Sequence, residues 1–68
     1  KINLSLEIKD GSPIVGQQIK DDANEIGRII SIKNDSVLAM LKIEIAEKKI
    51  NTQQQIKTNE GIVLEFIL

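Results

Sequence analysis

The stretch Glu25–Glu44, E-I-G-R-I-I-S-I-K-N-D-S-V-L-A-M-L-K-I-E, holds two β-like runs on either side of a polar turn, Asn34-Asp35-Ser36. β-branched and aliphatic residues dominate both runs, and Gly27 sits near the entry of the first, so the segment predicts a β-hairpin. Within the first run Arg28 falls on the same alternation as Ile26, Ile30 and Ile32. Either a bulge near Gly27 shifts the side-chain parity or Arg28 points inward, and a glycine inside a strand pattern favours the bulge.

The rest of the chain continues the β pattern. From Lys1 to Lys9, Ile2, Leu4, Leu6 and Ile8 alternate with Asn3, Ser5, Glu7 and Lys9, the period of a half-buried strand. Asp10-Gly11 supplies a turn and Pro13 keeps the next residues extended. Val15–Lys20 reads as a shorter strand, and Asp21–Asn24 as a polar turn. Ser36–Ile50 carries two signals. Leu, Ala, Met, Glu and Lys favour helix and Ser36 could cap one, whereas Val37, Ala39, Leu41, Ile43 and Ile45 alternate. The alternation predicts strand to about Glu44, with a short irregular or helical turn through Ala46–Lys49. Gln53–Lys57 predicts another brief strand, Asn59-Glu60-Gly61 a turn, and Ile62–Leu68 a last strand with Ile62, Leu64, Phe66 and Leu68 on one face.

Five or six short strands, mostly antiparallel, with turn signals every eight to twelve residues predict an all-β chain, a small closed barrel. Closure also removes exposed edges. The chain has 68 residues, enough for a single β-barrel domain, residues 1–68, with a core that stabilises it only marginally alone. A start at Lys1 and an apolar close, Ile62–Leu68, fit the C-terminal fragment of a larger protein.

Composition removes most chemistry. There is no His, no Cys and a single aromatic residue, Phe66. A zinc ribbon, a disulfide framework and a thiol nucleophile are therefore absent from these residues, and a serine nucleophile would need an activating lysine that no spacing supplies. Gly11, Gly16 and Gly27 match no phosphate-cradling motif. Asp21, Asp22 and Glu25, with the Asn24 carbonyl, lack the spacing of a calcium loop, so no metal site is expected. Glu7, Glu44, Glu60 and Glu65 fall on outer strand faces rather than in a pocket that would separate their pKa values. No catalytic residue is expected. Nine basic against ten acidic side chains provide no field for direct nucleic-acid or anionic-membrane binding. No apolar run approaches the roughly 18 residues of a membrane span. A soluble, cytoplasmic or organelle-matrix location is the expectation. One residue stays open to a binding role: Arg28, whose charge must meet a carboxylate, a carbonyl, solvent or a ligand.

In order, Gly11-Ser12-Pro13, Val15-Gly16, Glu25-Ile26-Gly27-Arg28-Ile29 with Ser31, and Val37-Leu38-Ala39-Met40-Leu41 precede a final apolar strand. Together they resemble the C-terminal barrel of the YgfZ-type folate-binding proteins, relatives of the glycine-cleavage T-protein (aminomethyltransferase). The likeness runs over nearly the whole chain. Ile30 in place of a common threonine, the Asn34-Asp35-Ser36 turn and a closing strand without proline depart from the family's pattern, and they weigh against the T-protein more than against the YgfZ branch. The resemblance implies a three-domain parent in which two preceding domains build most of a tetrahydrofolate cavity, with the barrel packed beside it. It implies a role in iron–sulfur cluster assembly or repair and in tRNA modification, with the signature K-x-G-C-Y-x-G-Q-E upstream. An aminomethyltransferase parent would be the enzymatic variant. No functional residue of the family transfers to a numbered position here, so the resemblance implies a structural domain with no cofactor of its own and with its parent's preceding domains as partners. V-G-Q-Q-I followed by I-G-R-I-I-S-I is also similar to translation-factor or ribosome-maturation barrels, which would need a basic or aromatic face. A bare protein-interaction module without a ligand is the third reading.

Overall fold

The computed structural model describes residues 1–21, 24–58 and 60–67. The strands are β1 (Ile2–Asp10), β2 (Gln18–Asp21), β3 (Asn24–Lys33), β4 (Ser36–Leu41), β5 (Ile56–Lys57) and β6 (Val63–Phe66), with one helix, α1 (Ile43–Asn51), between β4 and β5. All pairings are antiparallel, and the sheet order is β2-β3-β4-β1-β6-β5. The two outer strands, β2 and β5, come back alongside one another. The sheet thereby curls into a nearly closed six-stranded barrel, as the alternation and turn spacing predict.

Strict alternation in β1 becomes one wall of the core. Leu6 is fully buried, with Leu4 and Ile8 packed beside it, while Asn3, Ser5, Glu7 and Lys9 face out. In β4 the same period buries Val37, Ala39 and Leu41 and leaves Ser36, Leu38 and Met40 half-buried on the outside. Registry sets Leu6 against Val37 and Leu4 against Ala39. Ile19, Ile26, Ile29, Ala46, Ile56, Ile62 and Leu64 complete the centre.

The Gly27 region resolves as a bulge. Against β2, Ile19 pairs with Gly27 and Lys20 with Glu25, so Ile26 is the extra residue. Ile26 and Gly27 are consecutive and both buried, which a regular strand forbids, and Arg28 is thereby turned outward beside Met40. A second register shift between Ile29 and Ser31 leaves Ile30 unpaired against β4 and 40% exposed. Gly27 is required sterically. A Cβ there would strike the Met40 carbonyl oxygen and lie 2.6 Å from Leu41 Cδ2, so only glycine allows β3 and β4 this approach.

Several boundaries differ from the sequence expectation. The strand expected to Glu44 stops at Leu41, and Ile43 and Ile45 belong to α1. Ile45, Ala46, Lys49 and Ile50 are the less exposed residues of α1, a helical spacing that the longer alternation conceals. Glu44 lies in its first turn and Lys48 and Lys49 in its last, matching the helix dipole. The helix ends in a Schellman arrangement: Gln53 N–H donates to the Ile50 carbonyl at 3.1 Å and Gln54 N–H to the Lys49 carbonyl at 2.8 Å, with Gln53 left-handed at φ 55°. The strand expected from Val15 begins at Gln18, because Ile14–Gln17 closes a β-turn through Gln17 N–H to the Ile14 carbonyl, 3.0 Å, with Gly16 at φ 86°. The strand expected over Gln53–Lys57 is confined to Ile56–Lys57, since the Schellman turn uses Gln53 and Gln54. The last strand is Val63–Phe66. Asp22 and Ala23 of the expected Asp21–Asn24 turn, Asn59 of the later turn, and Leu68 lie outside the described residues.

Candidate functional site

Arg28, the single side chain carried forward from the sequence, is exposed on β3, and its Nη1 donates to the Gly16 carbonyl at 2.9 Å. Gly16 N–H in turn donates to the Ile29 carbonyl at 2.8 Å, and Ile29 N–H to the Gln17 carbonyl at 2.9 Å. The guanidinium thus ties the Ile14–Gln17 turn to β3, a structural task for one of its donors. A hollow of about 80 Å³ lies next to it, between Glu25, Met40 and Lys42. That is room for a few waters, well below the roughly 300 Å³ at which ligand pockets begin.

A larger concavity lies at the other end of the chain. An open groove of about 620 Å³ runs between the end of α1 and the β5–β6 pair, with Ile50 and Phe66 as its apolar lining and Gln53, Gln54, Gln55, Lys49, Lys57 and Glu65 as its polar one. Gln55 Nε2 donates to Glu65 Oε2 at 2.9 Å, which fixes the carboxylate against β5. Nothing in the sequence reading singled out this groove, and its signal there is the Gln53–Gln55 run directly after the helix. Its groups are amides, ammoniums and one engaged carboxylate. Such a lining can hydrogen-bond a partner but supplies no nucleophile and no acid or base in an apolar enclosure.

Electrostatics point the same way across the described residues. None of their polar or charged side chains is buried. No group of three potential metal-ligating residues occurs among them; the Asp21 side chain and Asp22, part of the cation cluster considered above, lie outside the description. On the outer face, Lys9 Nζ forms an ion pair with Glu7 Oε1 at 3.0 Å. The hydrogen bond to Glu7, the charge of Glu7 and then the charge of Glu65 hold the Lys9 ammonium above the usual lysine range. No helix is long and apolar enough to cross a membrane among the described residues.

Comparison with known proteins found no matching family model, no matching curated protein and no matching solved structure.

Proposed function

We propose that this chain is the structural barrel of a YgfZ-like folate-binding protein related to aminomethyltransferase. In that reading the parent holds tetrahydrofolate in a cavity built by preceding domains and serves iron–sulfur cluster assembly or repair and tRNA modification. The barrel itself supports and docks.

The observation that carries the reading is how the hairpin residues are used. Gly27 permits close contact of β3 and β4, Arg28 clamps the Ile14–Gln17 turn, and Val37, Ala39 and Leu41 fill the core. These residues, central to the resemblance, thus have mechanical tasks, and the described surface offers no enclosed site with reactive groups. A barrel that contributes shape rather than chemistry fits these facts.

Two measurements test the proposal. The sequence of the full gene product should contain two further domains before Lys1 and the K-x-G-C-Y-x-G-Q-E signature; a product without either refutes it. Titration of tetrahydrofolate should show binding to the full product and none to the 68-residue chain. Saturable binding by the isolated barrel would contradict the division of labour, and salt-sensitive RNA binding would favour a translation-factor-like module instead.

A further inference from the structure

Hydrogen-bond accounting along β6 leaves a gap at Phe66. Ile67 N–H donates to the Ser5 carbonyl at 3.3 Å, so residue 67 faces β1. In a strand the N–H and C=O of successive residues point to opposite sides, so those of Phe66 point away from β1. The bond on the far side fixes the same phase. Thr58 N–H donates to the Ile62 carbonyl at 2.9 Å, which turns residues 62, 64 and 66 toward the β5 side.

β5 meets only the first part of that edge. Lys57 is set against Val63 and Ile56 against Leu64, and two further steps would set Gln54 against Phe66. Gln54 does not complete the pair, because its N–H closes the end of α1 on the Lys49 carbonyl at 2.8 Å. The Schellman turn that ends the helix thereby takes the residue that would have extended β5. Phe66 keeps a backbone donor and acceptor with no backbone partner among the described residues. Phe66 and Gln54 both line the groove of about 620 Å³, so the missing rung lies inside it.

The lining says what can fill the gap. Ile50 and Phe66 give an apolar floor, and the exposed Gln53 and Gln54 present side-chain amides that match a peptide group in donors and acceptors. Among the charged groups Lys49 and Lys57 outnumber Glu65, whose carboxylate already accepts from Gln55 Nε2 at 2.9 Å. An interrupted ladder is completed by another extended backbone, and a lining with surplus positive charge selects an acidic one.

We infer that this groove receives an extended acidic peptide segment of another protein, which adds to the edge of β6 at Phe66 where β5 leaves off. The peptide residue opposite Phe66 exchanges N–H and C=O bonds with it. Paired residues share a face of the sheet, so that residue lays an apolar side chain against Phe66 and Ile50. A flanking carboxylate reaches Lys57. The inference goes beyond the proposed function and does not depend on it, since edge and groove belong to the barrel whatever parent carries it.

Two measurements on the 68-residue chain test this. Without peptide, the Phe66 amide should exchange with deuterium at least about tenfold faster than that of Glu65, which faces β1. Equal rates would mean that the edge is already filled, and would overturn the inference. The second measurement adds a capped pentapeptide, T-E-V-E-T, at millimolar concentration and follows amide NMR. It should shift the Phe66 amide and the Gln53 and Gln54 side-chain amides, and slow Phe66 exchange at least about tenfold. The same peptide N-methylated at its valine should do neither. Lys57→Glu should weaken T-E-V-E-T at least about fivefold and favour T-K-V-K-T, with an unchanged melting temperature showing that the exposed substitution leaves the fold intact. Binding that survives N-methylation, a preference of the unsubstituted chain for T-K-V-K-T, or no response to either peptide would each overturn the inference. Protection of Phe66 that grows with protein concentration alone would assign the edge to a second copy and overturn it too. None of these outcomes bears on the upstream domains, so the proposed function stands or falls separately.

Discussion

Replacing Gly27 by alanine tests how closely β3 and β4 approach. The added Cβ would meet the Met40 carbonyl oxygen, Leu41 Cδ2 at 2.6 Å and Leu41 Cα at 3.1 Å, and the first and last of these are backbone. No rotamer change relieves such contacts. The strands must separate locally, which costs about 1–3 kcal/mol of overpacking strain and about 1 kcal/mol for a weakened ladder hydrogen bond. We expect a loss of roughly 2–4 kcal/mol, against a total of about 3–10 kcal/mol for a chain of this size. In a domain this small that corresponds to a melting temperature lower by roughly 10–25 °C. Urea and thermal unfolding of the 68-residue chain, followed by far-ultraviolet circular dichroism, provide the measurement. Gly16→Ala is the control: nothing lies within 4 Å of where its Cβ would stand, but φ is 86°, so its cost is left-handed strain alone, about 1–2 kcal/mol. An alanine at position 27 that unfolds no earlier than the one at position 16 would refute the close-approach argument.

The same geometry fixes three more outcomes. Gln53→Gly should raise stability by about 0.5–1 kcal/mol, since residue 53 occupies the left-handed position of the Schellman turn that glycine adopts without strain; an unchanged or lower urea midpoint would contradict this. Leu64→Ala removes a fully buried side chain facing Ile8 and Ile56, and the usual cost of about 2–5 kcal/mol should leave a largely unfolded chain by circular dichroism at about 25 °C. Lys9 has a raised folded-state pKa, so its contribution is complete below the unfolded value of about 10.4 and is lost as pH rises through the folded one. Stability from this group should hold constant from neutral pH to about 9 and decline above about 10, and Glu7→Gln should lower the Lys9 titration midpoint seen by NMR; an unmoved midpoint would remove Glu7 as the cause.

Much of the barrel is written in short-range patterns. Period-two burial in Leu4–Ile8 and Val37–Leu41, and the turn at Asn34-Asp35, each follow from local sterics and the need to cover one face. The Gly27 bulge was also legible, because Arg28 sat on a parity it could not keep. The start of α1 was not. Ile43 and Ile45 extend the alternation of β4, and only the position of β3 shows why the strand stops: Lys42 N–H donates to the Ile26 carbonyl at 2.9 Å, while its own carbonyl accepts from Ala46 N–H at 3.0 Å and opens the helix. The groove beside Phe66 was hidden for a related reason. It is formed by residues from three elements, and no single stretch of chain carries its outline. Arg28 illustrates the opposite limit: its exposure followed from parity, but its acceptor, the Gly16 carbonyl, lies twelve residues away.

The place of β1 in the sheet has a consequence for synthesis. It lies between β4 and β6, with Leu6 set against Val37 on one side and Phe66 on the other. A ribosome delivers β1 before either neighbour, so its apolar face waits uncovered until residues 36–41 emerge, and one edge stays open until residues 63–66 follow. Translation at about 5–20 residues per second makes that interval several seconds, long compared with the microseconds in which a hairpin such as β3–β4 closes. The nascent chain therefore holds a preformed hairpin and an unsatisfied first strand together, and the barrel closes in a late step that depends on its last strand.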